Sequence, residues 1–388
     1  MRFTPSIFAK LLEPINRRQF QTVVDRHDGD AYDKAFKSWH HLVTLVFAQF
    51  SAATSLRGLE ASWNANCHQH YHLGGGKLVR STVSDANKRR CVRIFEETYS
   101  LLAGQLDRQT RRGGNAMLQL IDSTPIPLGK LCDWTKSNGR FRGMKMHIVY
   151  DPNADTPRLL DITDANVNDA QVGRTVNIQP GTTYVFDKGY CHYGWWRAIA
   201  AAGSIFVTRP KKNMGLAVVR ERKVEAPEGD GFTILDDCEV RFASKGDSKL
   251  PMRLRRVRLR RHEGGGIITL VTNDLERSAV AIGALYKSRW QIELLFRWLK
   301  QHLRIRKFLG YNDNAIRLQL LAAMIAFALL RIARRLHKLT IPLLRFADLV
   351  AQCLFERREM AAIDKPPPVH ASRRPDKTSP NQLSFGYA

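Results

Sequence analysis

Apolar residues recur at helical spacing in residues 35–50 and again in 56–66, and Gly74-Gly75-Gly76 closes that stretch. Ser81 or Ser84 then caps a further predicted helix carrying Lys88, Arg89, Arg90, Phe95 and Leu101. From residue 116 the pattern changes to short apolar runs, at 117–121, 146–150, 159–162, 184–186 and 205–207, separated by Gly, Pro, Asn and Asp. Runs without a polar alternate face suit strands covered on both sides, so a mixed α/β core is expected. Residues 211–275 are polar, turn-rich and basic, and helical spacing returns from Ser278. The apolar run at 320–330 is shorter than the roughly 20 residues that cross a bilayer, and it reads as a buried core helix. No membrane association is expected.

This pattern divides the chain into a helical N-terminal domain at 1–111, the first part of an α/β core at 112–210, a basic β-rich insertion at 211–275, the second part of the core at 276–340, and a C-terminal helix with a basic tail, too poor in apolar residues to fold and expected to be disordered, at 341–388. Charge then narrows the function. Lys plus Arg number 61 against 36 Asp plus Glu, a formal charge of +25, which points to a polyanionic partner. The 44% apolar content excludes a disordered basic chain. Six dispersed cysteines without a CxxC pair fit a reducing compartment, and residues 1–10 lack the apolar segment of a secretion signal, so a cytoplasmic protein is expected.

Two basic elements are candidates for nucleic acid. Lys88, Arg89 and Arg90 sit on a predicted helix that either lies against phosphates or presents a solvated face. Arg253, Arg255, Arg256, Arg258, Arg260 and Arg261 crowd one predicted strand, whose alternation slips between Arg255 and Arg256 as a β-bulge would allow. Such a strand is expected to be solvated, as an edge or as a phosphate-binding surface.

Candidate chemistry begins with two acids. The runs Leu120-Ile121-Asp122 and Val185-Phe186-Asp187 each end in an aspartate where an apolar strand emerges, followed by Pro125 or Gly189. Ligands bind at the carboxyl ends of strands in open α/β sheets, although either Asp alone is more often a turn residue. Farther on, Tyr286, Arg289, Glu293 and Lys300 fall within one stripe of about 60° at 100° per residue, beside an apolar arc of Ile292, Leu295, Phe296 and Leu299. Alone, that stripe would read as ordinary pairing of side chains four residues apart.

The combination resembles the DDE transposases of bacterial insertion sequences, in the branch with the YREK signature, the insertion-sequence-four family. Tyr286, Arg289, Glu293 and Lys300 meet its Y-x2-R-x3-E-x6-K signature, Asp187, Gly189 and Tyr190 meet its D-x-G-Y motif, and Asp122 matches its first aspartate. Lys145-Met146-His147, Thr163, Asn168-Asp169 and Thr272-Asn273-Asp274-Leu275 are similar to the family too, and the likeness spans about 116–335. It implies a ribonuclease-H-like mixed sheet with a β-rich insertion behind an all-helical N-terminal domain.

The resemblance further implies Asp122, Asp187 and Glu293 as catalytic carboxylates holding two Mg²⁺ ions, replaceable by Mn²⁺. Asp122 would bridge the pair, with Asp187 and Glu293 holding one flanking ion each. Tyr286, Arg289 and Lys300 would hold DNA phosphates, and Trp290 would stack on an unpaired base or else pack in the core. Lys188, beside Asp187, joins the DNA-contacting set. The implied partner is double-stranded DNA, both terminal inverted repeats and target, bound by a homodimer in the cytoplasm. The competing functions are a DNA-binding regulator without catalysis and a structure-specific nuclease.

Three further groups carry less. Cys67, His68, His70 and His72 are too crowded to close a tetrahedral zinc site. Asp25, Asp28, Asp30 and Asp33 lack the Gly and Glu of a calcium loop. Asp161, Asp164 and Asp169 are rival acids in the core, whereas Asp236 and Asp237 are expected at the surface.

Overall fold

The structure, a computed structural model, describes residues 4–110, 117–212, 214–224, 226–243, 252–303, 305 and 307–365. Six helices come first: α1 (Ile7–Leu12), α2 (Arg17–Arg26), α3 (Ser38–Phe50), α4 (Leu56–Asn64), α5 (Arg80–Arg89) and α6 (Val92–Thr110). Side chains cap three of them, since Ser6, Asn16 and Ser55 each accept from backbone N–H groups of the first turn of α1, α2 and α4.

The helix expected to run on from Ser81 or Ser84 is instead two, α5 and α6, because Arg90 has extended backbone between them. Its side chain turns inward and is only 4% exposed. Arg90 Nη1 donates to Asp30 at 3.0 Å and Asp33 at 2.7 Å, and Nη2 donates to the Phe36 carbonyl at 2.6 Å. Two of the four acids that superficially suggested a calcium loop, Asp30 and Asp33, therefore hold a buried guanidinium. Arg90 leaves the DNA-contacting set, while Lys88 and Arg89 remain exposed on the last turn of α5.

The apolar runs form strands where the pattern predicts them: β1 (Leu118–Pro127), β2 (Gly143–Asp151), β3 (Thr156–Asp164), then α7 (Asp169–Gly173), β4 (Thr183–Phe186), α8 (Tyr193–Ala201) and β5 (Ile205–Thr208). Five more follow: β6 (Leu216–Glu221), β7 (Glu228–Gly229), β8 (Phe232–Phe242), β9 (Leu254–Arg261) and β10 (Ile267–Thr272). All ten belong to one sheet, ordered β3-β2-β1-β4-β5-β10-β9-β8-β6, with β7 paired to β8. β1, β4 and β5 are parallel, and β2 and β3 add antiparallel, the arrangement of a ribonuclease-H-like core. Beyond β5 the antiparallel strands of the basic segment continue the same sheet.

Helices cover both faces of the parallel strands, as their unbroken apolar runs require. On one face Ile121, Phe186 and Phe206 pack with Trp195 and Trp196 of α8. On the other, Leu120, Val185 and Val207 share a core with α9 (Ala279–Ser288), α10 (Trp290–His302), α11 (Asp313–Leu336) and α12 (Leu343–Cys353). The N-terminal helices join that core through α11. By length and composition α11 is apolar enough to span a membrane, yet 89% of its most apolar window is buried inside the fold, so the core-helix reading holds.

The arginine-rich strand corrects two expectations. β9 is interior, between β10 and β8, and alternates regularly, whereas the register shift lies on β8 between Ile234 and Asp236. Arg255 is 1% exposed and makes a bidentate pair with Asp237, Nε to Oδ1 at 2.8 Å and Nη2 to Oδ2 at 2.7 Å. Its Nη1 also donates to the carbonyls of Asp274 and Arg277 at 3.2 and 2.6 Å. Arg255 is thus part of the core and cannot meet DNA, and Asp237 is buried with it. Arg256 and Arg258 pair with Asp236, Arg253 pairs with Glu239, and Arg260 is exposed.

Candidate active site

In the parallel pair β1 and β4, Leu118 lies opposite Thr183 and Ile121 opposite Phe186. One residue farther, Asp122 and Asp187 stand at the same level on neighbouring strands. Side chains alternate across a sheet, so Asp122 follows Leu120, and Asp187 follows Val185, onto the face covered by α9 and α10.

The stripe Tyr286, Arg289, Glu293 meets them there, but not from a single helix. α9 ends at Ser288 and α10 starts at Trp290. Between them Arg289 donates its N–H to the Tyr286 carbonyl and accepts from the Ile292 N–H, three-residue spacings that tighten the turn. Arg289 Nη1 donates to Asp122 Oδ2 at 2.6 Å and Nη2 to Glu293 Oε1 at 2.6 Å. Tyr286 Oη donates to Asp187 Oδ1 at 3.2 Å. Asp122, Asp187 and Glu293 are therefore gathered around Arg289 and Tyr286, which face carboxylates here and not phosphates.

Burial pushes the Asp122 carboxyl up to about 6, against the pull of Arg289 and of the Ser123 N–H, with Glu293 and Asp187 adding repulsion. Burial and then Asp187 push the Tyr286 hydroxyl up to about 12. Burial alone would lower Arg289, but Asp122 leads the interactions that hold it above its ordinary range. A pKa raised on folding means the folded state holds an extra proton between the unfolded carboxyl, near 3.8, and about 6. The stability this group contributes is full below that window and is lost as pH rises through about 6. In EDTA, wild type should therefore lose ground to Asp122→Asn between pH 4.5 and 7. The expected loss over that range is about 2 kcal/mol, since a tenfold change in proton affinity corresponds to about 1.4 kcal/mol and about 1.5 pH units separate pH 4.5 from the raised value. Urea unfolding midpoints at the two pH values check this.

Oxygen donors from three carboxylates suit a hard divalent cation. The Arg289 guanidinium already supplies positive charge between Asp122 and Glu293, so the chemistry of the cluster fits such an ion. The carboxylates as placed do not form a ready ligand set, because among the described residues no three His, Cys, Asp or Glu are arranged to hold a metal. The same holds at Cys67, His68, His70 and His72, where His70 is buried and stacked on Trp63 at 4.0 Å.

The third parallel strand adds a residue that the sequence pattern did not single out. β5 runs beside β4 with Thr208 opposite Phe186, so Arg209 follows at the level of Asp187, and its Nη1 lies 4.0 Å from Asp187 Oδ1. An Arg directly after an apolar strand, as Asp122 and Asp187 follow theirs, was the available signal. Arg209, Phe232, Arg261, His262, Tyr286 and Trp290 line a cavity of about 740 Å³ between the added strands and α9 and α10. Trp290 is 51% exposed at this cavity, which excludes the core reading for it.

Lys188 is exposed in the turn after Asp187. Lys300 lies two turns beyond Glu293, about 10 Å along α10, in a separate groove with Gln49, His302, Lys307 and Asp348. Of the rival acids, Asp161 is exposed, Asp164 pairs with Lys136, and Asp169 pairs with Lys145.

Residues 114–329, which contain all three carboxylates, match the family described as Transposase DDE domain. The chain belongs to the DDE transposases. Residues 4–75 of this transposase match a second family, described as Domain of unknown function (DUF4372). It is 70% identical over 323 residues to "Putative transposase y4zB" of Sinorhizobium fredii, covering 81% of this chain and 90% of that protein. It is 30% identical over 255 residues to "Probable transposase for insertion sequence element IS5377" of Geobacillus stearothermophilus, covering 65% and 66%. Divalent metal use and DNA binding belong to a transposase with this domain.

Proposed function

We propose that this transposase cuts DNA at the terminal inverted repeats of its element and joins the freed 3′ ends to target DNA by two-cation phosphoryl transfer. The observation that supports this best is the placement of Asp122 and Asp187 at one level on adjacent parallel strands, with Glu293 tied to Asp122 through Arg289. Two Mg²⁺ ions, or Mn²⁺ in their place, supply activation of the attacking oxygen and stabilisation of the leaving one. Asp122 would hold both ions, and Asp187 and Glu293 one each.

Arg289, which bonds Asp122 and Glu293 in this structure, would hold a DNA phosphate in the complex, bidentately as its planar fork allows. Tyr286 turns from Asp187 to donate to the same backbone. Trp290, at the cavity beside them, stacks on an unpaired base, a contact of about 1 to 3 kcal/mol. Lys188 and Arg209 track the phosphates near the acids, and Lys300 those farther along the duplex, in the groove beyond Glu293. Arg253, Arg256, Arg258 and Arg260, together with Lys88 and Arg89, form the wider basic surface. The working assembly is a homodimer on paired ends, acting in the cytoplasm on nucleoid DNA.

The alternative is a DNA-binding regulator descended from such an enzyme. The intact carboxylate set favours catalysis. An assay with a donor segment flanked by the cognate ends tests the reading: excision with integration is expected with Mg²⁺ and not with EDTA. Binding without cutting would establish the regulator.

A further inference from the structure

Lys145-Met146-His147, with Thr163 and Asp169 after it, has no part in the chemistry above. Ser123 pairs with His147 across β1 and β2, and Lys145 with Thr163 across β2 and β3. By alternation these side chains leave the sheet on the face opposite Asp122. His147 is fully buried there. Its Nδ1 lies 2.9 Å from Tyr190 Oη and its Nε2 3.0 Å from Thr163 Oγ1.

Tyr190 closes the short turn that begins at Asp187, its N–H donating to the Asp187 carbonyl at 3.0 Å. Gly189, in the same turn, lies against Asp169, whose Oδ2 would stand 3.0 Å from a Cβ at that position. Asp169 Oδ1 in turn accepts from Lys145 Nζ at 2.5 Å. β4 ends at Phe186, so Asp187 lies outside the ladder and the turn after it sets the direction of its carboxylate. That turn is fastened by Tyr190 on His147, and Gly189 leaves the room that Asp169 occupies beside it.

We propose that His147 is a positioning residue that, through Tyr190, holds the turn at 187–190 from the back of the sheet, and so sets the Asp187 carboxylate against Asp122 for cation binding. The inference rests on the two-cation reading of this site. A buried hydroxyl is costly to leave without partners, so the Tyr190 side chain stays where His147 and Ser123 can meet it. Burial, with Lys145 adding to it and Asp169 opposing, holds the His147 pKa down at about 4. The neutral ring offers one donor and one acceptor, a match for two hydroxyl partners.

The test compares wild type with His147→Leu, His147→Gln, Tyr190→Phe and Asp187→Asn. Each is measured for Mn²⁺ binding by electron paramagnetic resonance, thermal unfolding in EDTA, gel shift on an inverted-repeat duplex, and the Mg²⁺ dependence of cleavage. His147→Leu and Tyr190→Phe are expected to weaken Mn²⁺ binding about 10-fold or more, as loss of a group supporting a ligand does. They should raise the half-saturating Mg²⁺ concentration in step and leave the gel shift unchanged. His147→Gln, which can still bond Tyr190, should recover most of the loss. Should His147→Leu fail to fold, Tyr190→Phe, which lacks one oxygen atom, carries the test. Folded variants with wild-type Mn²⁺ affinity and wild-type Mg²⁺ dependence, beside an Asp187→Asn that has lost both, would overturn the inference alone. A wild type that neither binds Mn²⁺ nor cuts overturns the two-cation reading, and this inference with it.

Discussion

Asp122→Asn is expected to lower metal-dependent cleavage by at least about 10³-fold while leaving binding to an inverted-repeat duplex intact. A single preorganised electrostatic contact at a reacting centre contributes about 10²- to 10³-fold, and Asp122 is the carboxylate proposed to serve both cations. Asn keeps the shape of the side chain and its place beneath α10, so the loss would report charge and ligation, not packing. Asp187→Asn and Glu293→Gln should each fall in the same range, and a double variant should be little worse than either single one, because residues acting as one unit are far from additive. Single-turnover cleavage of a labelled end, with gel shift as the control, measures this. Three variants that all cut like wild type would remove the catalytic assignment.

Arg255→Ala is expected to destabilise the protein by about 3 to 5 kcal/mol, although Arg255 belongs to a strand whose composition suggests a DNA-facing surface. The guanidinium is buried with Asp237 in a bidentate pair, and its removal leaves the buried carboxylate with only the looser Arg222 guanidinium, 3.7 Å away. Two carbonyls at the entry to α9, those of Asp274 and Arg277, lose their donor as well. Asp237→Ala should cost a similar amount, whereas Arg255→Met combined with Asp237→Leu should recover most of the stability, since apolar replacement of a whole buried pair is often neutral or favourable. Urea unfolding of the four proteins decides it. An Arg255→Ala midpoint equal to that of wild type would mean that the pair is not closed in solution.

The contrast between these two residues shows what the sequence could reveal. The strand-end positions of Asp122 and Asp187 were legible because they are local, an acid following an apolar run of strand length, but the run alone reads as a turn and only the resemblance joined the two acids to Glu293. The core helix at 313–336 was legible for the same reason, its apolar side chains outnumbering any exposed stripe. Arg255 and Arg90 were not, because a buried cation is recognised only with its counter-ion, and Asp237, Asp30 and Asp33 lie far off along the chain. The break at Arg289 left no signal, as neither Gly nor Pro marks it and its backbone stays helical. Arg209 was missed because its meaning lies in the register of a third strand beside the two that carry the acids.

The single sheet has a mechanical consequence for the cavity beside Trp290. Its Arg261 and His262 wall is carried by strands joined to β5 through β10, and the Arg255 pair locks those strands to the segment leading into α9. Among the described residues that wall and the strands carrying Asp122 and Asp187 share one continuous hydrogen-bonded ladder, so a displacement of the wall is felt at the acids through β10 and β5.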